Sequence, residues 1–151
     1  MKETIMSTST SASSASTAIL PLVGRLLVAT IFLISAFGKL AAPSGTIGYI
    51  ASVGLPAPSL AYAAALVTEL GGGLLLVLGY RTRLVAAGLA VFSVVSALFF
   101  HSALGDQNQM FHFLKNLAMA GGLLQFVAYG AGTLSLDQRR SSTGGALELA
   151  R

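Results

Sequence analysis

The segment Ala57–Gly79 reads APSLAYAAALVTELGGGLLLVLG, and Glu69 is its only charged residue. A run of this length is enough to cross a hydrocarbon core ~30 Å thick as a helix, which needs ~20 predominantly apolar residues. A carboxylate at mid-bilayer depth is costly and therefore faces a bundle interior or a wet cavity, where a partner offsets the cost. What pairs with Glu69, and to what end, is the question that the remaining sequence must answer.

Composition points the same way. Of 151 residues, 54% are hydrophobic and 9% charged, against roughly 25% charged in a soluble domain. That balance cannot coat a water-soluble globule of this size, but it suits a chain whose main solvent is lipid. The net charge of +4 comes from nine scattered Lys and Arg residues, with no basic stripe interleaved with aromatics, so nucleic acid is not an expected partner. There is no cysteine, which excludes disulfides, thiol catalysis, iron–sulfur clusters and thiolate zinc sites.

Four apolar segments are expected to span as helices: Ile19–Ala41, Ala57–Gly79, Leu84–Leu104 and Phe111–Tyr129. Helices are the spanning form because lipid leaves open backbone groups unpaired. Short connections between them predict antiparallel neighbours, hence an all-α, integral membrane, up-down four-helix bundle. The domain covers residues 19–137. Residues 1–18 form a Ser/Thr/Ala-rich tail expected to be disordered, as is the tail 138–151. A signal peptide is disfavoured because the polar tract separates the N-terminal charge from the apolar run, which Arg25 interrupts. Within the 42–56 connection, Tyr49-Ile50-Ala51 is apolar enough to lie in the interface. Gly79 is an expected helix stop. Arg81 and Arg83 in one loop, and Arg139 and Arg140 after the fourth segment, predict that both termini are cytoplasmic.

Polar residues gather toward the opposite end. Glu69 lies ten residues from Gly79, roughly 15 Å deep. Arg25 sits in the inner half of the first helix. Lys39, His101, His112, Lys115 and Asn116 lie toward the outer end. His112, Lys115 and Asn116 fall at i, i+3 and i+4 and share a face. Ala61, Ala65 and Gly73 flank Glu69 at four-residue steps and allow another helix close. The candidate ligand-binding set is therefore Arg25, Lys39, Glu69, His101, His112, Lys115 and Asn116, with Lys115, His101 and Arg25 facing Glu69 if the helix faces converge. Simpler readings are snorkelling anchors for the two lysines, a topology signal for Arg25, interfacial histidines and a purely structural ion pair at Glu69. His101 and His112 match haem ligation only in outline, and zinc lacks a third ligand. Arg25–Ala29 and Arg83–Ala87 share a faint similarity, too slight to establish two related hairpins.

Several segments in order and at fixed spacing resemble the DoxX family of small four-helix bacterial inner-membrane proteins. They are Gly24-Arg25-Leu26-Leu27, Phe37-Gly38-Lys39-Leu40, Gly54-Leu55-Pro56, Glu69-Leu70-Gly71-Gly72, Gly79-Tyr80-Arg81-Thr82-Arg83, His101, Phe113-Leu114-Lys115-Asn116-Leu117 and Leu134-Ser135-Leu136-Asp137. The resemblance covers about residues 22–137. It implies the fold and an inner-membrane location, and it matches Arg25, Lys39, Glu69, His101, Lys115 and Asn116 to polar positions typical of the family. Some relatives are similar to subunits of a thiosulfate:quinone oxidoreductase, and others are linked to membrane redox-defence assemblies. No cofactor-binding motif marks this chain as a catalytic subunit. The leading expectation is a polar pocket that takes a quinone or similar small molecule, in a chain that serves a quinone-linked oxidoreductase or redox-defence assembly with soluble or membrane partner proteins. A quinone carbonyl needs donors such as His, Lys or Asn, and its reduction needs a proton source. The alternatives are a non-enzymatic structural subunit, and a small transporter or channel that would need a homo-oligomer for room.

Overall fold

The computed structural model describes residues 3–140 and 142; residues 1, 2, 141 and the tail from 143 on lie outside the described residues. The chain is helical in the order α1 (Glu3–Ala41), α2 (Pro43–Ser52), α3 (Pro58–Leu78), α4 (Thr82–Phe100) and α5 (Gln107–Tyr129). A short helical segment, α6, follows over 136–140. Six helical elements among the described residues therefore stand where four were expected. One of the two additions is α2, which fills the 42–56 connection. Pro43 opens it at the first-turn position, where a missing N–H costs nothing, and Gly54 (φ +79°) ends the stretch in a conformation that favours glycine.

Among the described residues, three helices are long and apolar enough to cross a membrane: the Ala18–Ala41 part of α1, α3 and α4. The fourth expected span, α5, falls short because Gln107, Asn108, Gln109, His112, Lys115, Asn116 and Gln125 dilute its apolar content. The third segment also ends earlier than expected, at Phe100 rather than Leu104.

Helix ends are set by local chemistry. Pro58 begins α3, and Gly79 (φ +66°) closes it. The Gly79 and Tyr80 amides bond back to Leu76 O and Leu75 O, a Schellman pattern that satisfies the last carbonyls. Asp106 caps α5 by accepting from Gln109 N at 2.9 Å.

The packing order is α1 on α3, α3 on α4 and α4 on α5. α1 and α3 run antiparallel: Arg25 meets Leu76, Ala29 lies by Gly73, and Lys39 meets Tyr62. α4 and α5 do likewise, with Arg83 by Gly130 at one end and His101 by His112 at the other. Glycines permit the close approach. A Cβ on Gly73 would stand 2.8 Å from Leu33 Cδ2, and one on Gly72 would stand 2.8 Å from Leu89 Cδ2. The core is correspondingly slim, with Ala29, Phe32, Leu76, Ala86, Leu89, Ala90, Ala120 and Leu123 at its centre. Large apolar side chains point outward instead: Val67 is 72% exposed, whereas Glu69 two positions on is 4% exposed. That inversion is wrong for water and right for lipid, where the apolar groups face the solvent and the charge faces protein.

Candidate functional site

The partner of Glu69 is Lys39. Its Nζ lies 2.8 Å from both Oε1 and Oε2 of Glu69 and donates to Ser35 Oγ at 2.7 Å, while Ser35 Oγ donates to Glu69 Oε1 at 3.2 Å. Ser35 and Lys39 are four residues apart, so one face of α1 presents both to α3. Tyr62 Oη donates to Lys39 O at 3.2 Å and ties the end of α1 to α3 above the pair. The carboxylate side chain is 5% exposed and the ammonium side chain 22%. A lysine this close to a helix end can snorkel to the headgroups; here it reaches down the bundle instead. All three ammonium protons are used within the triad and both carboxylate oxygens accept, so the arrangement forms a closed charge-assisted network.

The two histidines form a second group at the same end of the molecule. Their rings stack with centroids 4.9 Å apart and planes inclined by 20°. His101 Nδ1 is 2.9 Å from Gln109 Oε1. The other imidazole nitrogens have no hydrogen-bond partner among the described residues. α2 joins this end to the first group: Tyr49 packs on Phe100 at 5.6 Å and donates to Phe100 O. Asn116 is spent on its own helix, donating to His112 O at 3.0 Å. Lys115 is exposed and has no hydrogen bond or ion pair among the described residues. Neither Lys115 nor His101 is bonded to Glu69.

Arg25 sits at the opposite end, away from Glu69. It is fully buried and donates to Leu76 O and Leu134 O, while its Nε has no partner. Gly79 makes room for it: a Cβ there would collide with the Arg25 guanidinium and stand 2.6 Å from Ser135 Cβ. Asp137 completes this end. Its two carboxylate oxygens accept from Arg81 N at 2.7 Å and Thr82 N at 2.8 Å, capping α4 from a distant part of the chain, and its own amide donates to Gly79 O at 2.9 Å. Burial pushes the Asp137 carboxyl up, but the Thr82 and Arg81 amides and the charge of Arg140 more than reverse this and hold it below the usual carboxylate range. Its charge also acts on Arg25.

The candidate residues thus divide into Lys39 with Glu69, His101 with His112, and Arg25 at the far end, with Lys115 and Asn116 outside all three contacts. Ser35, Tyr62, Gln109 and Asp137 join these contacts although none of them stands in the candidate set. The i, i+4 spacing of Ser35 and Lys39 was a usable signal; nothing local marked Asp137 as a cap for a helix 55 residues away from it.

The DoxX family model matches residues 20–102. The chain belongs to the DoxX family. It is 36% identical over 126 residues to "Inner membrane protein YphA" of Escherichia coli (strain K12), covering 80% of this chain and 90% of the relative. It is 34% identical over 117 residues to "Inner membrane protein YqjF" of the same strain, covering 78% and 88%. No solved structure matches at a significant level. Three apolar spans and inner-membrane relatives make this DoxX chain an integral protein of the bacterial inner membrane. The family match contains Arg25, Lys39, Glu69 and His101, but not His112, Lys115 or Asp137.

Proposed function

We propose that this DoxX chain is a non-catalytic structural subunit of an inner-membrane assembly, in which the Lys39–Glu69 pair locks helix register. It takes the form of an up-down four-helix bundle of α1, α3, α4 and α5 with both ends of the chain cytoplasmic. The antiparallel contacts along α1–α3 and α4–α5 support the bundle, and the gathering of Arg81, Arg83, Arg139 and Arg140 at one end supports the orientation. The observation that carries the functional reading is the closure of the Ser35–Lys39–Glu69 triad. Both carboxylate oxygens and the lysine ammonium that would meet a ligand are engaged with one another and with Ser35. The test is Glu69→Gln in the native membrane. Less protein should assemble, and what assembles should keep its partners and small-molecule content. A variant that assembles normally but loses a co-purifying small molecule or a redox turnover would falsify this reading.

A quinone-linked redox role is favoured by a different observation, the His101–His112 stack. Two partly buried imidazoles with unpartnered nitrogens match the donors that a quinone carbonyl requires. Exposed Phe99, Phe111 and Leu114 supply apolar surface at the same end for a ring and tail. A bound quinone would supply the redox chemistry; the histidines would orient its carbonyl and hold a proton at a ring nitrogen. On this reading, extracts of the gently purified protein contain quinone, and His112→Ala loses it while the melting temperature holds. Quinone-free extracts together with no binding of added quinone exclude it.

A further inference from the structure

At the end opposite Glu69, the α3–α4 turn and the segment after α5 enclose a cleft of about 670 Å³, within the roughly 300–1,000 Å³ range of small-ligand sites. Its charged lining is lopsided: Arg81, Arg83 and Arg140 line it with one acidic residue, Asp137. That carboxylate is already committed, because both its oxygens accept from the first amides of α4. It holds the turn in shape and offsets part of the positive charge, notably that of Arg140, so three arginines against one carboxylate leave an excess of positive charge in the lining. Arg140 is steadied over the Tyr80 ring at 5.2 Å. Arg83 lies across Gly130, its Nε 3.6 Å from where a Cβ would stand. Thr133 adds a hydroxyl to the wall.

The location narrows the ligand. The cleft is lined by the start of α4, the end of α5, the non-helical segment 130–135 and α6, and the end of a spanning helix is where headgroups are met. Tyr129, 80% exposed on the rim, is the residue type that anchors in that layer. A topology signal requires only that arginines lie on one side of the membrane. It does not require three of them to line one concavity. Guanidiniums match phosphate through paired hydrogen bonds, and basic pockets between membrane helices take anionic headgroups.

We propose that this cleft binds the phosphate of an anionic phospholipid headgroup, independently of the register lock at Glu69. The test is native mass spectrometry of the full-length protein in mild detergent with phosphatidylglycerol, phosphatidylcholine or inorganic phosphate added. Wild type should retain phosphatidylglycerol over phosphatidylcholine by about 25-fold. The variant Arg83→Gln/Arg140→Gln should bring the two lipids near parity, since each surface arginine contributes roughly fivefold. Arg83 is exposed and makes no internal hydrogen bond among the described residues, so Arg83→Gln alone preserves the fold and should still cost several-fold if the double variant misfolds. Equal retention of both lipids by wild type, or an unchanged preference in Arg83→Gln, overturns the proposal. Inorganic phosphate that binds as tightly as the lipid and displaces it overturns the lipid source and leaves a free-anion site.

Discussion

Removing either partner of the Lys39–Glu69 pair should not cost the same. Lys39→Met strands a carboxylate that is 5% exposed, with Ser35 as its remaining donor. Breaking a buried pair in this way costs about 3–5 kcal/mol, because the leftover charge is uncompensated. Glu69→Gln strands an ammonium that is 22% exposed and close enough to the end of α1 to turn toward the headgroups. The amide also keeps an oxygen for Ser35 or Lys39, so the loss reduces to charge assistance on two bonds, about 1–2 kcal/mol. The double variant Lys39→Met/Glu69→Gln leaves no buried charge and should fall within about 1 kcal/mol of wild type. The cycle then gives a coupling of at least about 3 kcal/mol. Reversible unfolding in mixed micelles by titration with a denaturing detergent, followed by far-ultraviolet circular dichroism, measures all four proteins; the chain has no tryptophan to report by fluorescence. If Glu69→Gln cost as much as Lys39→Met, or if the two losses simply added in the double variant, the pair would not be the closed unit described above.

Three further perturbations probe the rest of the frame. Gly79→Ala forces a Cβ into the Arg25 guanidinium at a φ of +66°, and should cost more than about 2 kcal/mol in the same unfolding assay. Asp137→Asn should cost about 1 kcal/mol, the scale of a lost helix cap. Because the folded Asp137 carboxyl lies below the usual range, its stabilisation is complete above the unfolded value of about 3.9 and is lost as the pH falls through the folded value. The acid limb of the wild-type stability profile should therefore flatten in Asp137→Asn. Gly73→Val drives a branched side chain into Leu33, where even a Cβ would stand at 2.8 Å. It should cost about 2–3 kcal/mol and, by moving α1 off α3, weaken cross-linking between positions 35 and 69.

What the sequence made legible followed from solvent. The apolar runs of α1, α3 and α4 are long because the hydrocarbon core is thick, and the end of α3 can be read from Gly79; the end of α4 falls at Phe100, four residues before the expected one. The burial of Glu69 was legible for the same reason: no other placement of a charge in that run is tolerable. The partner was not. Arg25 and Lys39 lie on the same helix on opposite sides of the depth of Glu69, and composition alone does not say which one shares its level. Antiparallel register decides it by placing Lys39 beside Tyr62 and Arg25 beside Leu76. The α2 helix was hidden because four glycines and prolines among residues 43–54 read as loop, although Pro43 is well tolerated at a helix start.

The two anchors on α1 explain why so slim a core suffices to fix one arrangement. In lipid no hydrophobic force draws helices together, so close packing and polar contacts set their register. Between the anchors, α1 and α3 meet through small residues, with Leu33 and Ala29 against Gly73, a contact that brings the backbones close without any polar bond to fix the register. Lys39–Glu69 at one end and Arg25 with Leu76 O at the other lie fourteen residues apart on α1, roughly 21 Å along its axis. A slide that preserved one would break the other. Arg25 carries the constraint further, since its bond to Leu134 O joins α1 to the segment after α5, while Asp137 in that same segment holds the start of α4. Charges that cost energy to bury thus act where apolar packing is least specific.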